Sequence, residues 1–384
     1  MKKKIYFLTR SYDGFHQGGG PRARRFQVET LENNGFNVII VIPNFTIKEV
    51  NVTKNIIQVP AKYNEKITYK KVSFGLKYDY LDNWIRNSYK YLKDKVYKND
   101  IIFATTGNEL ASFILGLKLK KISKAKLVIN YHDPIDPFSS NKKIIKYFLY
   151  KNRISIEKKI INQSDLIITS TTSQKKNILQ SNKKVDYQKV VNINFGYFEK
   201  SLQINKSKFN TKKLIFGYGG SMGSAQRIDK VLNLFKEIEG HELWLFGSYK
   251  HKDKYKNYPN IKFYEWVSQK EYENVFLDKI NYGIASLGNP NFSECVPSKI
   301  YDYINLCIPI LGLFYNGQAK EIIEVNQFGV CINPDIKNSE FKKIIKSLEN
   351  VAKFNFFKQN IIKQKDSWHY KNLMQPGISR LRNL

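Results

Sequence analysis

What most constrains the fold of this chain is a recurring pattern in which short, near-continuous apolar runs alternate with longer amphipathic stretches. In the first half the runs are KKIYFLT (3–9), NVIIVIP (37–43), DIIFATT (100–106), KLVINYH (126–132), DLIITST (165–171) and KVVNINF (189–195). In the second they are KLIFGYG (213–219), ELWLFGS (242–248), IKFYEWV (261–267), YGIASL (282–287), PILGLF (309–314) and GVCINP (329–334). Apolar residues in succession, rather than in alternation, mark strands covered on both faces. Strands that alternate with helices imply βαβ units and parallel sheets.

The polar, strandless stretch FEKSLQINKSKFNTK (198–212) divides the pattern into two halves. The expected class is therefore α/β, with two doubly wound Rossmann-like domains, 1–200 and 211–365. Residues 366–384 are expected to pack back on the first domain. A chain of 384 residues can bury a core in each. Ligands of open α/β sheets bind beyond the carboxyl ends of the strands, so the active site is expected in a cleft that the two domains face.

Several function classes drop out. The apolar run Val38–Ile42 is far shorter than the ~20 residues that span a bilayer. In the opening MKKKIYFLTR the apolar run is only Ile5–Leu8, below the roughly 7–15 residues of a secretory segment. It reads as a first strand, and the chain as cytoplasmic. Cys295, Cys307 and Cys331 show no CxxC spacing and the five histidines are scattered, which argues against a disulfide framework or a metal site.

Sixty-four Lys+Arg against 33 Asp+Glu leave a net charge of +31, a field that favours anionic partners: nucleic acid, phosphorylated ligands or acidic membrane. No nucleic-acid module or interleaved aromatic-basic motif accompanies it. Residues 141–162, NKKIIKYFLYKNRISIEKKIIN, suit a helix on an anionic leaflet and equally a core helix with a solvated basic face.

Four constellations carry candidate chemistry. In RSYDGFHQGGGPRARRF, Gly18, Gly19 and Gly20 lead into Pro21 and a helix running to about Asn34, with Gly35 as its stop. A glycine loop feeding a helix start suits phosphate. In FGYGGSMGSAQRID (216–229), Gly219, Gly220 and Gly223 allow close approach of backbone to a ligand, and Arg227 offers a fork suited to diphosphate. His132 and Asp133 end a strand where ligand is expected; the bland alternative is an Asp capping the next turn. In SECVPSKIYDYINLCIPI (293–310), Pro297 or Ser298 starts a helix carrying Lys299 in its first turn and Asp302 one turn on, with Glu294 in the loop before. A cation beside a helix start clamps a diphosphate, and two flanking acids can accept hydrogen bonds from sugar hydroxyls. The bland alternative is an exposed Lys299–Asp302 pair, worth only ~0.2–0.5 kcal/mol.

GGGPRARRF, NYHDP, SDLIITSTT, NFGY, GYGGSMGSAQRIDKVLNLF and ECVPSKIYDYINLCIPI occur in this order over nearly the whole chain. Together they resemble bacterial retaining glycosyltransferases of the GT-B fold, family 4, of the type that builds capsule, O-antigen and lipopolysaccharide sugars. The resemblance implies that Glu294 contacts the donor-sugar hydroxyls and Asp302 the ribose. Lys299 and the helix start with Ser298 would hold the diphosphate, with Arg227 neutralising it as it leaves. It further implies that His132 reaches the donor sugar, with Asp133 on the acceptor side. The glycine loop would face donor phosphate and acceptor, Gly220 would lie at the donor, and the backbone near Val267 would meet the base.

Asp302 stands where Glu is usual, Gln226–Arg227 where Lys-Gly is common, Trp266 and Cys307 where glycine is frequent. Either Gln226 or Arg227 carries the phosphate role. The implied reaction moves a sugar from a nucleotide-diphosphate donor, a UDP-sugar, to a glycan or polyprenyl-diphosphate-linked acceptor, with retention, and needs no metal or other cofactor. The inner face of the plasma membrane is the implied place of a peripheral enzyme. The rival readings are a nucleotide-sugar epimerase or hydrolase of the same fold, and a basic nucleic-acid binder.

Overall fold

A computed structural model of the chain describes residues 2–16, 19–62, 81–107, 109–133, 144–201, 209–210 and 212–384, with side chains of residues 144–152 excepted. It forms two compact units, residues 1–194 with 374–384, and residues 195–373. Part of the polar stretch 198–212 and most of the helix start at 141–152 thus lie outside the described side chains.

The first unit is built from β1 (Lys4–Leu8), α1 (Gly19–Asn33), β2 (Asn37–Asn44), β3 (Asn51–Thr53), β4 (Ile56–Pro60), α2 (Asp82–Leu92), β5 (Ile101–Thr106) and α3 (Ala111–Ser123). It continues with β6 (Lys126–Tyr131), α4 (Ile144–Gln163), β7 (Leu166–Thr169), α5 (Thr172–Ser181) and β8 (Val190–Asn192). The sheet order is β3-β4-β2-β1-β5-β6-β7-β8. Every pairing is parallel except the edge pair β3–β4. All six residues of β5 are buried, as double coverage by helices requires, and Phe7 of β1 stacks on Phe103 of β5 at 5.2 Å.

The six apolar runs of the first half each form a strand. The hairpin β3–β4 has no counterpart among them, because β3 is wholly exposed and β4, IIQVP, is interrupted by Gln58. Helix α1 begins two residues earlier than the proline suggests. Pro21 fits inside a first turn because the N–H groups there have no intrahelical partner to lose. It ends as anticipated, with Gly35 at φ +92° and the Phe36 N–H donating to the Leu31 carbonyl.

In the second unit the order is β9 (Ile215–Gly219), α6 (Ile228–Phe235), β10 (Glu242–Phe246), β11 (Ile261–Tyr264), α7 (Gln269–Asp278), β12 (Tyr282–Ser286) and α8 (Ser298–Leu306). Then come β13 (Ile310–Leu313), α9 (Gln318–Val325), β14 (Gly329–Ile332), α10 (Asn338–Leu348), α11 (Val351–Gln364) and α12 (Tyr370–Leu373). Its sheet, β11-β10-β9-β12-β13-β14, is wholly parallel. The Tyr303 ring of α8 lies on Gly283 of β12, where a Cβ would come within 2.6 Å of it. Its hydroxyl donates to the Ile284 carbonyl at 2.9 Å, pinning α8 to the sheet.

The chain leaves the first unit after Asn194 and returns at Met374. The last helix, α13 (Gln375–Arg382), rests on the first unit: a Cβ on Gly377 would meet Ile193 Cδ1 at 2.5 Å, and Lys3 Nζ donates to the Arg382 carbonyl at 2.9 Å. Among the described residues no helix is long and apolar enough to cross a membrane.

Candidate functional site

In each sheet the chain returns to add strands on the other side of the first one laid down. In the second unit the chain builds β9, β10 and β11 outward to one side and then returns to lay β12 against the other side of β9. At such a reversal, ligands of open α/β sheets bind beyond the carboxyl ends of the strands. The glycine loop follows β9 and the Glu294–Lys299 segment follows β12.

The start of α8 lies at this end of the sheet. Pro297 takes the cap position in extended geometry, no side chain caps the helix, and no acid occupies its first turn. Its first N–H groups, at Ser298 and Lys299, carry the positive end of the helix dipole. Lys299 Nζ lies 4.9 Å from the centre of the buried Tyr272 ring and 2.9 Å from Asp302 Oδ2. A Cβ on Gly220 would come within 3.1 Å of Lys299 Cε, so the loop lies close against the lysine. Gly220 also has φ +134°, open to glycine and few others. The anticipated Lys299–Asp302 pair forms, and both side chains remain partly exposed.

Glu294 sits in the turn after β12, and Gly317, at the start of α9, holds that turn in place. A Cβ on Gly317 would fall 2.0 Å from the Ser293 carbonyl oxygen, and its φ of +109° is again glycine's. Arg227 caps α6 at φ +50° in the left-handed region, where a bulky residue is an outlier. Its guanidinium grips Asp229, at 2.9 Å from Nε and 2.8 Å from Nη2, and this hydrogen bond holds the Asp229 carboxyl below its usual range.

Gln226 is used differently. Its side-chain oxygen accepts from the Gly223 N–H at 3.1 Å, and its carbonyl accepts from Ser286 Oγ at 2.6 Å and from the Gly288 N–H at 3.2 Å. Val267, beyond β11, is half-buried, and Trp266 before it is 63% exposed.

In the first unit the reversal falls between β1 and β5. His132 and Asp133 follow β6, and Gly19 and Gly20 form the exposed start of α1; Gly18 lies outside the described residues. Around them the fold gathers groups that the motifs alone did not single out. Arg24, only 2% exposed, points back from α1 so that Nη1 lies 2.5 Å from Ser11 Oγ. Arg10, just after β1, pairs with the fully buried Glu109, just after β5, at 3.3 Å. Gly107 lies among them: a Cβ there would come within 3.1 Å of Arg24, 3.5 Å of Arg10 and 3.8 Å of Asp133 Oδ2.

A weak signal for this cluster existed in the sequence. Of nine arginines in a lysine-rich chain, Arg10, Arg22, Arg24 and Arg25 fall within sixteen residues. Where lysine is the default cation, arginine marks places that need its rigid fork.

His132 is buried, with Nε2 3.4 Å from Gln27 Oε1. That oxygen only accepts, so a neutral His132 in this arrangement carries its proton on Nε2. Burial, reinforced by the charges of Arg24 and Arg10, holds its pKa well below the ordinary value, so the ring is neutral at physiological pH. Asp133 reaches the surface yet is crowded by its neighbours. Desolvation, with Glu109 adding to it, pushes its pKa up against the opposing pull of Arg24 and Arg10.

No family model and no curated protein sequence matches the chain. Solved structures do. Anabaena HepE, crystallised with UDP and glucose, superposes with a TM-score of 0.67 at 12% identity, covering 100% of both chains. The lipopolysaccharide outer core galactosyltransferase WaaB gives 0.66 at 13% identity, over 99% of this chain and 98% of its own. TarM gives 0.67 at 12% identity, over 99% of both. The chain has the GT-B fold. Two Rossmann-like parallel-sheet domains, the class anticipated from the alternating runs, make up this GT-B chain.

Proposed function

We propose that this GT-B protein is a glycosyltransferase that moves a sugar from a UDP-sugar to a hydroxyl of a growing cell-surface glycan or lipid-linked acceptor, retaining the anomeric configuration. One observation carries the reading: Lys299 stands at an uncapped helix start, held against Gly220 at the reversal point of the second sheet. That arrangement suits a diphosphate, whose oxygens accept from helix N–H groups and whose charge favours a cation beside them.

In such a reaction negative charge grows on the departing diphosphate. Lys299 and the start of α8 at Ser298 meet it without rearrangement, the form of stabilisation that commonly supplies the largest share of catalysis. Of the two candidates on the β9 loop, Arg227 is the one assigned to the diphosphate, because it alone carries a fixed positive charge, its guanidinium held by Asp229. Glu294, in the turn fixed by Gly317, is assigned to the sugar hydroxyls, and Asp302 to the ribose. His132 is assigned to the donor sugar and Asp133 to the acceptor side.

With cations already at the leaving group, the proposed reaction needs no metal. Support for the donor class comes from the matching structures, among them HepE with UDP and glucose bound. A basic chain of net charge +31 also suits an acceptor on an anionic surface.

The test is release of nucleoside diphosphate from a panel of UDP-sugars, with and without oligosaccharide and lipid-linked acceptors. Release that depends on acceptor, survives EDTA and yields a product of unchanged anomeric configuration is expected. Release without acceptor would convert the reading to a hydrolase or epimerase, and loss of turnover on chelation would remove its metal-free part.

A further inference from the structure

Tyr272 of α7 is almost wholly buried, at 6% exposed, yet Lys299 Nζ stands over its ring, 4.9 Å from the centre. The start of α7 fixes where this ring points. Ser268 and Glu271 form a reciprocal cap, each side chain accepting from the other's backbone N–H, at 3.2 and 2.9 Å. The Tyr272 N–H, next along, donates to the Ser268 carbonyl at 2.9 Å. Packing then locks the ring itself. The Phe276 ring, one turn on, lies 4.1 Å away between centres. A Cβ on Gly219 would fall 2.2 Å from Tyr272 Cε2, so the backbone at the end of β9 lies against the tyrosine ring.

Asp302 is called on twice: it holds Lys299 at 2.9 Å, and the ribose of the donor is assigned to it. A carboxylate paired with the lysine also offsets the charge that a diphosphate needs. An aromatic face does not: it attracts the ammonium through its quadrupole and carries no net charge of its own. We propose that Tyr272 is the positioning residue of Lys299, a buried aromatic seat that keeps the ammonium at the start of α8 while Asp302 turns to the ribose and the diphosphate takes the exposed side. This rests on the donor reading given above and gives a role to a residue that neither the motifs nor the family resemblance singled out.

The lysine stem is fixed as well as its head, since Lys299 Cε lies 3.1 Å from where a Cβ on Gly220 would stand. The Lys299 side chain is 23% exposed, so the seat is partly desolvated, where a cation–π contact is stronger than at an open surface. Such a seat works by preorganisation. A long lysine gives up rotamer freedom when it meets a ligand, and a lysine already held gives up less.

The experiment measures UDP affinity of the full chain by calorimetry, in the wild type, Tyr272→Phe, Tyr272→Leu, Lys299→Met and the double variant Tyr272→Leu/Lys299→Met. Tyr272→Leu is expected to weaken UDP about fivefold or more, and Tyr272→Phe, which keeps the ring face, to retain most of the affinity. With Lys299→Met already in place, Tyr272→Leu is expected to cost nothing further, because its effect passes through the lysine. A ring that only supports the fold would weaken UDP by the same factor with or without Lys299, and that result overturns the proposal. So does equal UDP affinity in wild type and Tyr272→Leu, or a loss in Tyr272→Phe as large as in Tyr272→Leu, which would assign the effect to the hydroxyl. Should Tyr272→Leu fail to fold, Tyr272→Met takes its place in both backgrounds, since its flexible side chain fills irregular space. A wild type that binds no UDP removes the donor reading itself, and is distinguishable from each of these results.

Discussion

The two sheets reverse direction in the same way, yet the groups gathered at the two reversal points are opposite in kind. In the first unit the polar groups are enclosed: Glu109 is fully buried, Arg24 and His132 nearly so, and they are fixed by contacts with Arg10, Ser11 and Gln27. In the second unit the charges stay near water: Lys299, Asp302, Arg227 and Asp229 are all partly exposed, and what is buried is glycine backbone and aromatic ring. Burial converts charge into a structural commitment, because a group taken out of water must keep its partner. Charges left near water cost the fold little and remain available to a ligand. The first region is thus held rigidly by its own partners, whereas the second keeps its charges near water.

Paired alanine substitutions give the sharpest test of that difference. Lys299→Ala is expected to lower turnover by about a hundredfold or more, the usual scale for removing one preorganised charge at a leaving group. Its cost in stability should stay within about 1 kcal/mol, as for an exposed pair. Arg10→Ala should do the reverse in stability, costing about 2–4 kcal/mol because the Glu109 carboxylate is left buried without this partner. Denaturant melts and turnover measured on the same preparations decide it. If Lys299→Ala unfolds the chain, or Arg10→Ala melts like the wild type, the comparison is wrong.

A smaller effect is expected at Gly317. Alanine there would place a Cβ 2.0 Å from the Ser293 carbonyl at a backbone angle of +109°. The turn carrying Glu294 must shift, and an activity loss of roughly tenfold or more is expected alongside a stability cost of about 1–3 kcal/mol. Gly14, also at positive φ but with open space around its Cβ position, is the control, expected to lose stability only through strain.

The smallest effect is in the pH dependence. The folded-state pKa of His132 lies well below its unfolded value, so below about pH 6.5 the unfolded chain binds a proton that the folded chain refuses. Stability should therefore fall as pH drops through that value, by at most about 1.4 kcal/mol per pH unit from this residue, until the folded pKa is reached. His132→Gln should flatten the decline between pH 6.5 and 5, measured by denaturant midpoint. An unchanged slope would place the burial penalty on His16 or His369, whose pKa values are also lowered by desolvation.

Much of this molecule was readable as pattern. The apolar runs locate twelve strands, because residues covered on both faces by helices have no choice but to be apolar. The glycines after β9 and the Glu294–Lys299–Asp302 spacing point to one end of the second sheet, and those before α1 to the first, for the same reason: turns and helix starts are local. Two residues are instructive. Arg227 at φ +50° and Cys307 at φ +56° stand in the left-handed region that glycine enters most easily. Backbone geometry at those places is thus set by the surrounding fold and not by the residue.

What did not show as pattern was the company of His132. Arg10, Arg24 and Glu109 come from a strand end, a helix and another strand end, 14 and 85 residues apart along the chain, and no local rule joins them. The edge hairpin β3–β4 escaped for a different reason, since β3 is wholly exposed and carries no apolar signal.

The sequence by itself therefore determined the class of fold, the order of its strands along the chain and the local chemistry of each loop, since these depend on neighbours a few residues away. Tertiary structure alone decided which strands lie side by side, and hence where each sheet reverses. That choice brings Arg10 to Glu109 and Gly220 to Lys299, because strand order in a sheet follows from which helices can cover which faces, a property of the whole packed layer.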